Sequence, residues 1–280
     1  MSNHVAVVTD STASLPDELA RQWGIKVVQL QLNVDDQTDD ENRFDRGELY
    51  TALSAGRRVT TSPPDPGAFF WAYQDAVSAG ANAVVSLHLS ERMSATVRVA
   101  RQAAEQIRIP VYTLDSGTTG MSLGFAALSA ARAAGAGARV SRVVEAAERR
   151  ILGSSELIYL DTLEYLRRGG RIGAAAALIG TAFSIKPLLT VTGGEVAPLA
   201  RVPGARRALA RLVDLTTERA KSRPVELAVS CFKQSGRELS LVEQLRERIP
   251  DEREVLIVEA STVIGAHTGP GALSITVSPL

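Results

Sequence analysis

The chain has 280 residues, of which 45% are hydrophobic and 22% charged, an ordinary globular composition that excludes disorder and collagen and carries a prior of two domains. Its 31 basic residues balance 31 acidic ones, so no global field draws it to nucleic acid or to an anionic membrane. The single cysteine, Cys231, lies in the apolar run VELAVSCF, which excludes disulfides and cysteine-rich metal sites and implies a reducing compartment.

MSNHVAVVTD runs straight into a short apolar strand without the basic-then-apolar profile of a signal peptide, so a cytoplasmic location is expected. Strand runs VAVV, VVQLQL, AVVSLHL and VYTL then alternate with helical patterns around PDELARQW and from about Ser94. That rhythm predicts parallel strands joined by crossover helices. Asp10, Ser90 and Asp115 each follow a strand run. The carboxyl ends of such strands border the ligand crevice, so the three should share one rim. DDQTDDENRFD, residues 35–45, reads as a solvated acidic loop without EF-hand spacing. In VTTSPPDPG three prolines force an extended, stiff path that holds Thr60, Thr61 and Ser62 on rigid backbone.

Helical patterns over 121–134 and 140–152 complete a first domain, 1–154. Past residue 155 the rhythm changes. In DTLEYLRRGG, Asp161 and Glu164 read as a capping box and Gly169 as the helix stop. The uncharged IGAAAALIGTAFSI, 172–185, reads as a buried helix, too short for the ~20 residues of a membrane span. Gly193-Gly194 between two β runs signals a hairpin. A helix near 205–221, the strand VELAVS, a helix near 236–248, the strand VLIVEA, the loop GAHTGPGAL and a last strand make the second domain, 155–280. The fold class is therefore α/β: an N-terminal Rossmann-like, mainly parallel sheet domain, then a C-terminal α+β domain.

The chain lacks the phosphate loop and the dinucleotide fingerprint, and its three histidines show no zinc-ligand spacing. No metal or cofactor is expected. His88, at a strand end, reads as a histidine with a structural hydrogen bond. GMSLG fits a nucleophile elbow, which keeps a serine hydrolase using Ser122 or Ser94 with His267 as the alternative. Against it, DSGTT separates the motif from its strand and places Ser122 inside the next helix. Ser94 reads as an N-cap and equally as an anion seat. Thr61, Ser94 and His267, from three distant loops, together suit a carboxylate.

The stretches VVTDST, TTSPPDPGAF, SLHLSERMSATVRVA, TLDSGTTGMSLGF, YLDTLEYLRRGGRIGAAAALIG, SIKPLL and VIGAHTGPGAL span nearly the whole chain in order. Through them the sequence resembles the DegV family, bacterial fatty-acid-binding proteins that serve as carrier subunits of fatty acid kinase. The resemblance implies a long-chain fatty acid, of the palmitate or oleate class, lying between two domains. Its carboxyl would meet Thr61, Ser94 and His267, with Ser62 and Thr268 alongside. The apolar tail would run along Ile172, Leu178, Ile179, Phe183 and Ile264. The carrier would not itself be an enzyme: a separate ATP-dependent kinase would convert the carboxylate to an acyl phosphate for phospholipid synthesis. Arg171 would lie near the carboxyl and face that kinase, or serve only as a solvated arginine at a helix boundary. Ser94-Ala95-Thr96-Val97 departs from the family's common S-G-T-Y, and Pro203 stands where relatives often carry a base.

Overall fold

In a computed structural model the protein is described over residues 4–179, 184–220, 223–249 and 255–280. Val5–Asp10 (β1), the helix Asp17–Gln22 (α1) and Ile25–Val28 (β2) open the chain. Gln31–Val34 (β3), Gln37–Asp40 (β4), Arg46–Ser54 (α2), Val59–Ser62 (β5), Pro66–Ser78 (α3), Ala83–His88 (β6), Thr96–Ala104 (α4), Val111–Asp115 (β7), Met121–Gly135 (α5) and Val140–Gly153 (α6) complete the first half. β1, β2, β6 and β7 form a parallel sheet in the order β2-β1-β6-β7. Because side chains alternate across a strand, Val8 and Val84 pack with Phe69 and Tyr73 of α3, while Val7 and Val85 pack with Phe125 and Leu128 of α5. Both faces are covered, as a parallel sheet requires.

The second half holds Ser155–Tyr159 (β8), Glu164–Arg168 (α7), Ile185–Thr192 (β9), Glu195–Pro203 (β10), Ala205–Ala220 (α8), Val225–Cys231 (β11), Arg237–Arg248 (α9), Leu256–Glu259 (β12), Thr262–Thr268 (α10) and Leu273–Pro279 (β13). Its strands make one mixed sheet, β10-β9-β8-β13-β11-β12. One face, with Leu157, Tyr159, Val229 and Ile275, is apolar and packs with Leu212 of α8 and Leu245 of α9. The residues that alternate with these include Glu156, Ser230, Ser274 and Thr276, so the other face is rich in small polar groups. The expected N-terminal parallel sheet and C-terminal α+β architecture are both present.

Four local expectations are corrected. VVQLQL is two strands: the chain leaves the parallel sheet after Val28, and β3 pairs antiparallel with β4 and β5 in a separate three-stranded sheet. The acidic stretch 35–45 is therefore no plain solvated loop, since it supplies β4 and buries Glu41. The uncharged run 172–185 is no long helix. Among the described residues of the run only a 3-10 segment, Gly173–Leu178, forms, and Ile185 already begins β9. Its buried side chains, Ala175 and Leu178, stand three residues apart, the spacing a 3-10 turn superimposes. The capping box fails because Asp161 turns away to accept the Tyr159 hydroxyl at 2.6 Å, leaving Thr162 Oγ1 to accept from Glu164 N at 3.2 Å. Gly169 is the helix stop, as read. Among the described residues no helix is long and apolar enough to cross a membrane.

Candidate functional site

A cavity of about 390 Å3 opens between the two halves. The first half contributes Thr12 beyond β1, Thr61 and Ser62 of β5, and the loop from Leu89 to Ala95. The second contributes Ile158, Leu166, Arg171, Val191, Val196 and the inner side of α10, including Ile264, His267 and Thr268. Residues beyond the carboxyl ends of β1 and β6 thus form one rim, the usual crevice of such sheets. Ser90 ties that rim to the other half by donating to Gly194 O at 2.7 Å. Asp115 caps the adjoining turns, accepting from Glu91 N at 3.0 Å and Gly117 N at 2.9 Å.

Asp10 organises the rim from below. One carboxyl oxygen accepts Thr12 N at 3.0 Å and Thr12 Oγ1 at 2.5 Å; the other accepts Leu89 N at 2.9 Å and lies 3.1 Å from His88 Nδ1. His88 Nε2 meets Ser86 Oγ at 2.7 Å, and Ser86 meets the Tyr73 hydroxyl at 2.8 Å. All of these side chains are buried. His88 is the structural histidine its strand-end position suggests.

The five residues expected to meet a carboxyl all line the cavity. Thr61 Oγ1 and His267 Nε2, 206 residues apart in sequence, stand 2.8 Å from each other. His267 Nδ1 is buried with no partner among the described residues, and a Cβ on Gly169 would collide with it. An unpaired N–H is the costlier orphan, so the neutral ring keeps its proton on Nε2 and donates to Thr61 Oγ1, leaving the threonine hydroxyl hydrogen for a ligand. Burial, reinforced by the Arg171 charge, pushes His267 down to about 4. The ring is neutral near pH 7.

Ser94 Oγ accepts from Thr96 N at 3.3 Å and shares a 2.8 Å hydrogen bond with Thr96 Oγ1; Ala95, rather than Ser94, holds the N-cap position of α4. Ser62 makes only a long bond, 3.5 Å, to Gln31 Oε1. Thr268 donates to Ile264 O at 2.9 Å, so its hydroxyl hydrogen is already committed. Arg171 spans the halves, donating to Met93 O at 3.1 Å and to Gly169 O at 2.7 Å. No acid pairs with it among the described residues; Arg98, Glu91 and Arg92, the last paired with Glu195, line the cavity as well, so it offers hydroxyls, a neutral imidazole and guanidinium groups to an anion.

Of the expected tail contacts, Ile264 lines the cavity. Ile172 and Leu178 do not line it; they sit in a cluster with Ile158, Leu166 and Val196, which do. Ile179 is 53% exposed, because the 3-10 turn ends there and directs it to solvent. Phe183 lies outside the described residues. The apolar wall comes instead from Leu30, Leu89, Met93, Ile158, Leu166, Val191, Val196 and Val263. The two-residue alternation of ELIYL and the valines flanking Gly193-Gly194 were the available signals for part of it.

GAHTGPGAL is not a loop presenting a polar pair. His267 and Thr268 close the last turn of α10, and the turn follows. Its glycine at 269 makes room for protein rather than for ligand, since a Cβ there would strike the Tyr165 ring. The LEYLRRGG and HTGPG motifs therefore interlock: α7 sends Tyr165 against Gly269 and leaves Gly169 bare for His267.

Ser122 does not form an elbow. It lies in the first turn of α5, seven residues beyond the end of β7, and donates to Glu156 Oε2 at 2.9 Å. Burial raises Glu156, and His267, the base a serine hydrolase would need, meets Thr61 instead. Cys231 is buried and its thiol is pushed up to about 11, consistent with an inert core position.

Over residues 4–280 the chain matches the family described as "Uncharacterised protein, DegV family". It is 45% identical over 279 residues, 99% of each chain, to a DegV domain-containing protein of Streptomyces coelicolor. A Thermus thermophilus structure described as fatty acid binding of a DegV family protein superimposes with a TM-score of 0.93 at 30% identity, covering 100% of both chains. DegV from Bacillus subtilis, described as a fatty acid binding protein, gives 0.90 at 30% identity, also covering 100% of both.

Proposed function

The chain belongs to the DegV family, and from that premise we propose that it binds a long-chain fatty acid and presents the carboxylate to a separate ATP-dependent kinase for conversion to an acyl phosphate. The observation that carries the reading is the cavity itself: Thr61 and a neutral His267 bonded across the two halves, with Ser94 and Arg171 on the same rim and aliphatic side chains behind. Each CH₂ taken out of water contributes roughly 0.8 kcal/mol, so an acyl tail supplies affinity while the polar groups fix orientation. Hydroxyls and a neutral ring hold a carboxylate without the full stabilisation of a buried ion pair, which would oppose its phosphorylation. Arg171, exposed and without a paired acid among the described residues, would meet the added phosphate or the kinase.

Extraction of the denatured protein followed by mass spectrometry should yield a long-chain acid. Finding no lipid, together with no binding of added palmitate or oleate, would overturn the reading. With a fatty acid kinase and ATP, His267→Ala should lower either ligand retention or acyl-phosphate yield. Unchanged values of both would remove His267 from the site.

A further inference from the structure

Glu41 follows β4 within the acidic stretch 35–45, yet it is only 5% exposed. Its carboxyl oxygens accept from Ser261 Oγ at 2.9 and 2.7 Å, from Thr262 Oγ1 at 2.7 Å and from Val263 N at 3.1 Å. Those residues are the N-cap and first turn of α10, some 220 positions away. The last turn of the same helix carries His267, which meets Thr61. Asp40, the residue before Glu41, pairs with Gln31 of β3, and Thr61 pairs with Leu32 of β3. One small sheet therefore grips α10 at both ends.

The helix has seven residues, too few to hold a conformation or a position unaided. Val263 and His267 are four apart and share a helix face, so any slide or rotation at Val263 is carried to the imidazole. Two further hydrogen bonds hold the segment just upstream: Ser14 Oγ accepts from Ser261 N at 3.0 Å, and Arg46 donates to Ala260 O at 2.7 Å. Glu41 does not line the ligand cavity.

We propose that Glu41 is a positioning residue for the carboxylate site: by clamping the first turn of α10 it sets where His267 Nε2 stands relative to Thr61. The inference rests on the carboxylate reading of that pair. Full-length Glu41→Ala and Glu41→Gln proteins are compared with the parent by calorimetry using palmitate and methyl palmitate, and by nitrogen-15 NMR of the His267 ring in ligand-free protein. In Glu41→Ala, palmitate affinity should fall roughly tenfold or more, methyl palmitate should change far less, and the His267 ring signals should move; Glu41→Gln should be intermediate because one oxygen still accepts. Equal loss of both ligands, or unchanged ring signals and palmitate affinity, overturns the proposal. If Glu41→Ala does not fold, Glu41→Gln and Thr262→Val carry the same comparison. Should the parent bind neither ligand while the ring signals still move, the positioning role stands and the carboxylate reading fails.

Discussion

On the first-half rim, Thr12 is held by Asp10 two residues earlier and Ser94 by Thr96 two residues later. On the opposite rim, His267 is held by Thr61, by the bare face of Gly169 and, through α10, by Glu41, all more than 90 positions distant. The first rim is a set of local turns that a short segment can rebuild after a change. The second is a packed assembly in which each position depends on remote partners, so equal chemical changes should cost more there.

The largest effect is expected from Gly169→Ala. Its methyl would occupy the place of His267 Nδ1, and overpacking of this kind costs about 1–3 kcal/mol. Titration with palmitate should show a loss of roughly tenfold or more, with a lowered melting temperature; unchanged affinity would mean that the imidazole has room the packing denies it. Thr61→Val, which removes one hydroxyl from the joint between the rims, should cost about 1 kcal/mol of binding, roughly fivefold. Ser94→Ala, on the locally built rim, should cost less than Thr61→Val by the same titration. The reverse order would break the comparison.

Proton linkage gives a further check on the second rim. His267 is pushed down to about 4 in the native state from an ordinary value near 6.5, so the unfolded chain takes up the proton first. That contribution to ligand-free stability is present above pH 6.5 and is lost as pH falls towards 4, by up to about 3 kcal/mol. A bound carboxylate beside the ring would raise its proton affinity. Binding should therefore take up protons, and palmitate affinity should rise as pH falls from 7.5 to 5.5; a flat profile in parent and His267→Ala alike would place the carboxylate elsewhere. The smallest effect on the ligand is expected from Ser122→Ala, whose hydroxyl serves Glu156. Palmitate affinity should hold, and a fluorophosphonate probe should label neither protein.

Alternating strand and helix patterns, the Gly193-Gly194 hairpin and the helices over 121–134 and 205–221 were legible in the sequence, because each is written in spacing along one segment. Thr61, Ser94 and His267 could be singled out by residue types that suit an anion, and all three line the one cavity. Glu41 was hidden because an acid among acids looks solvated until the chain places α10 above it. Ile179 was misplaced because an apolar run does not say which side of a turn faces water. The glycines of HTGPG pointed to a close approach, yet only packing could show that the approaching groups are the protein's own. Short-range stereochemistry determined the elements and the identity of the polar groups. The meeting of Thr61 with His267, the clamp by Glu41 and the wall of the cavity were decided by contacts between segments far apart in the chain, 206 residues for the first and up to 222 for the second, which no local pattern encodes.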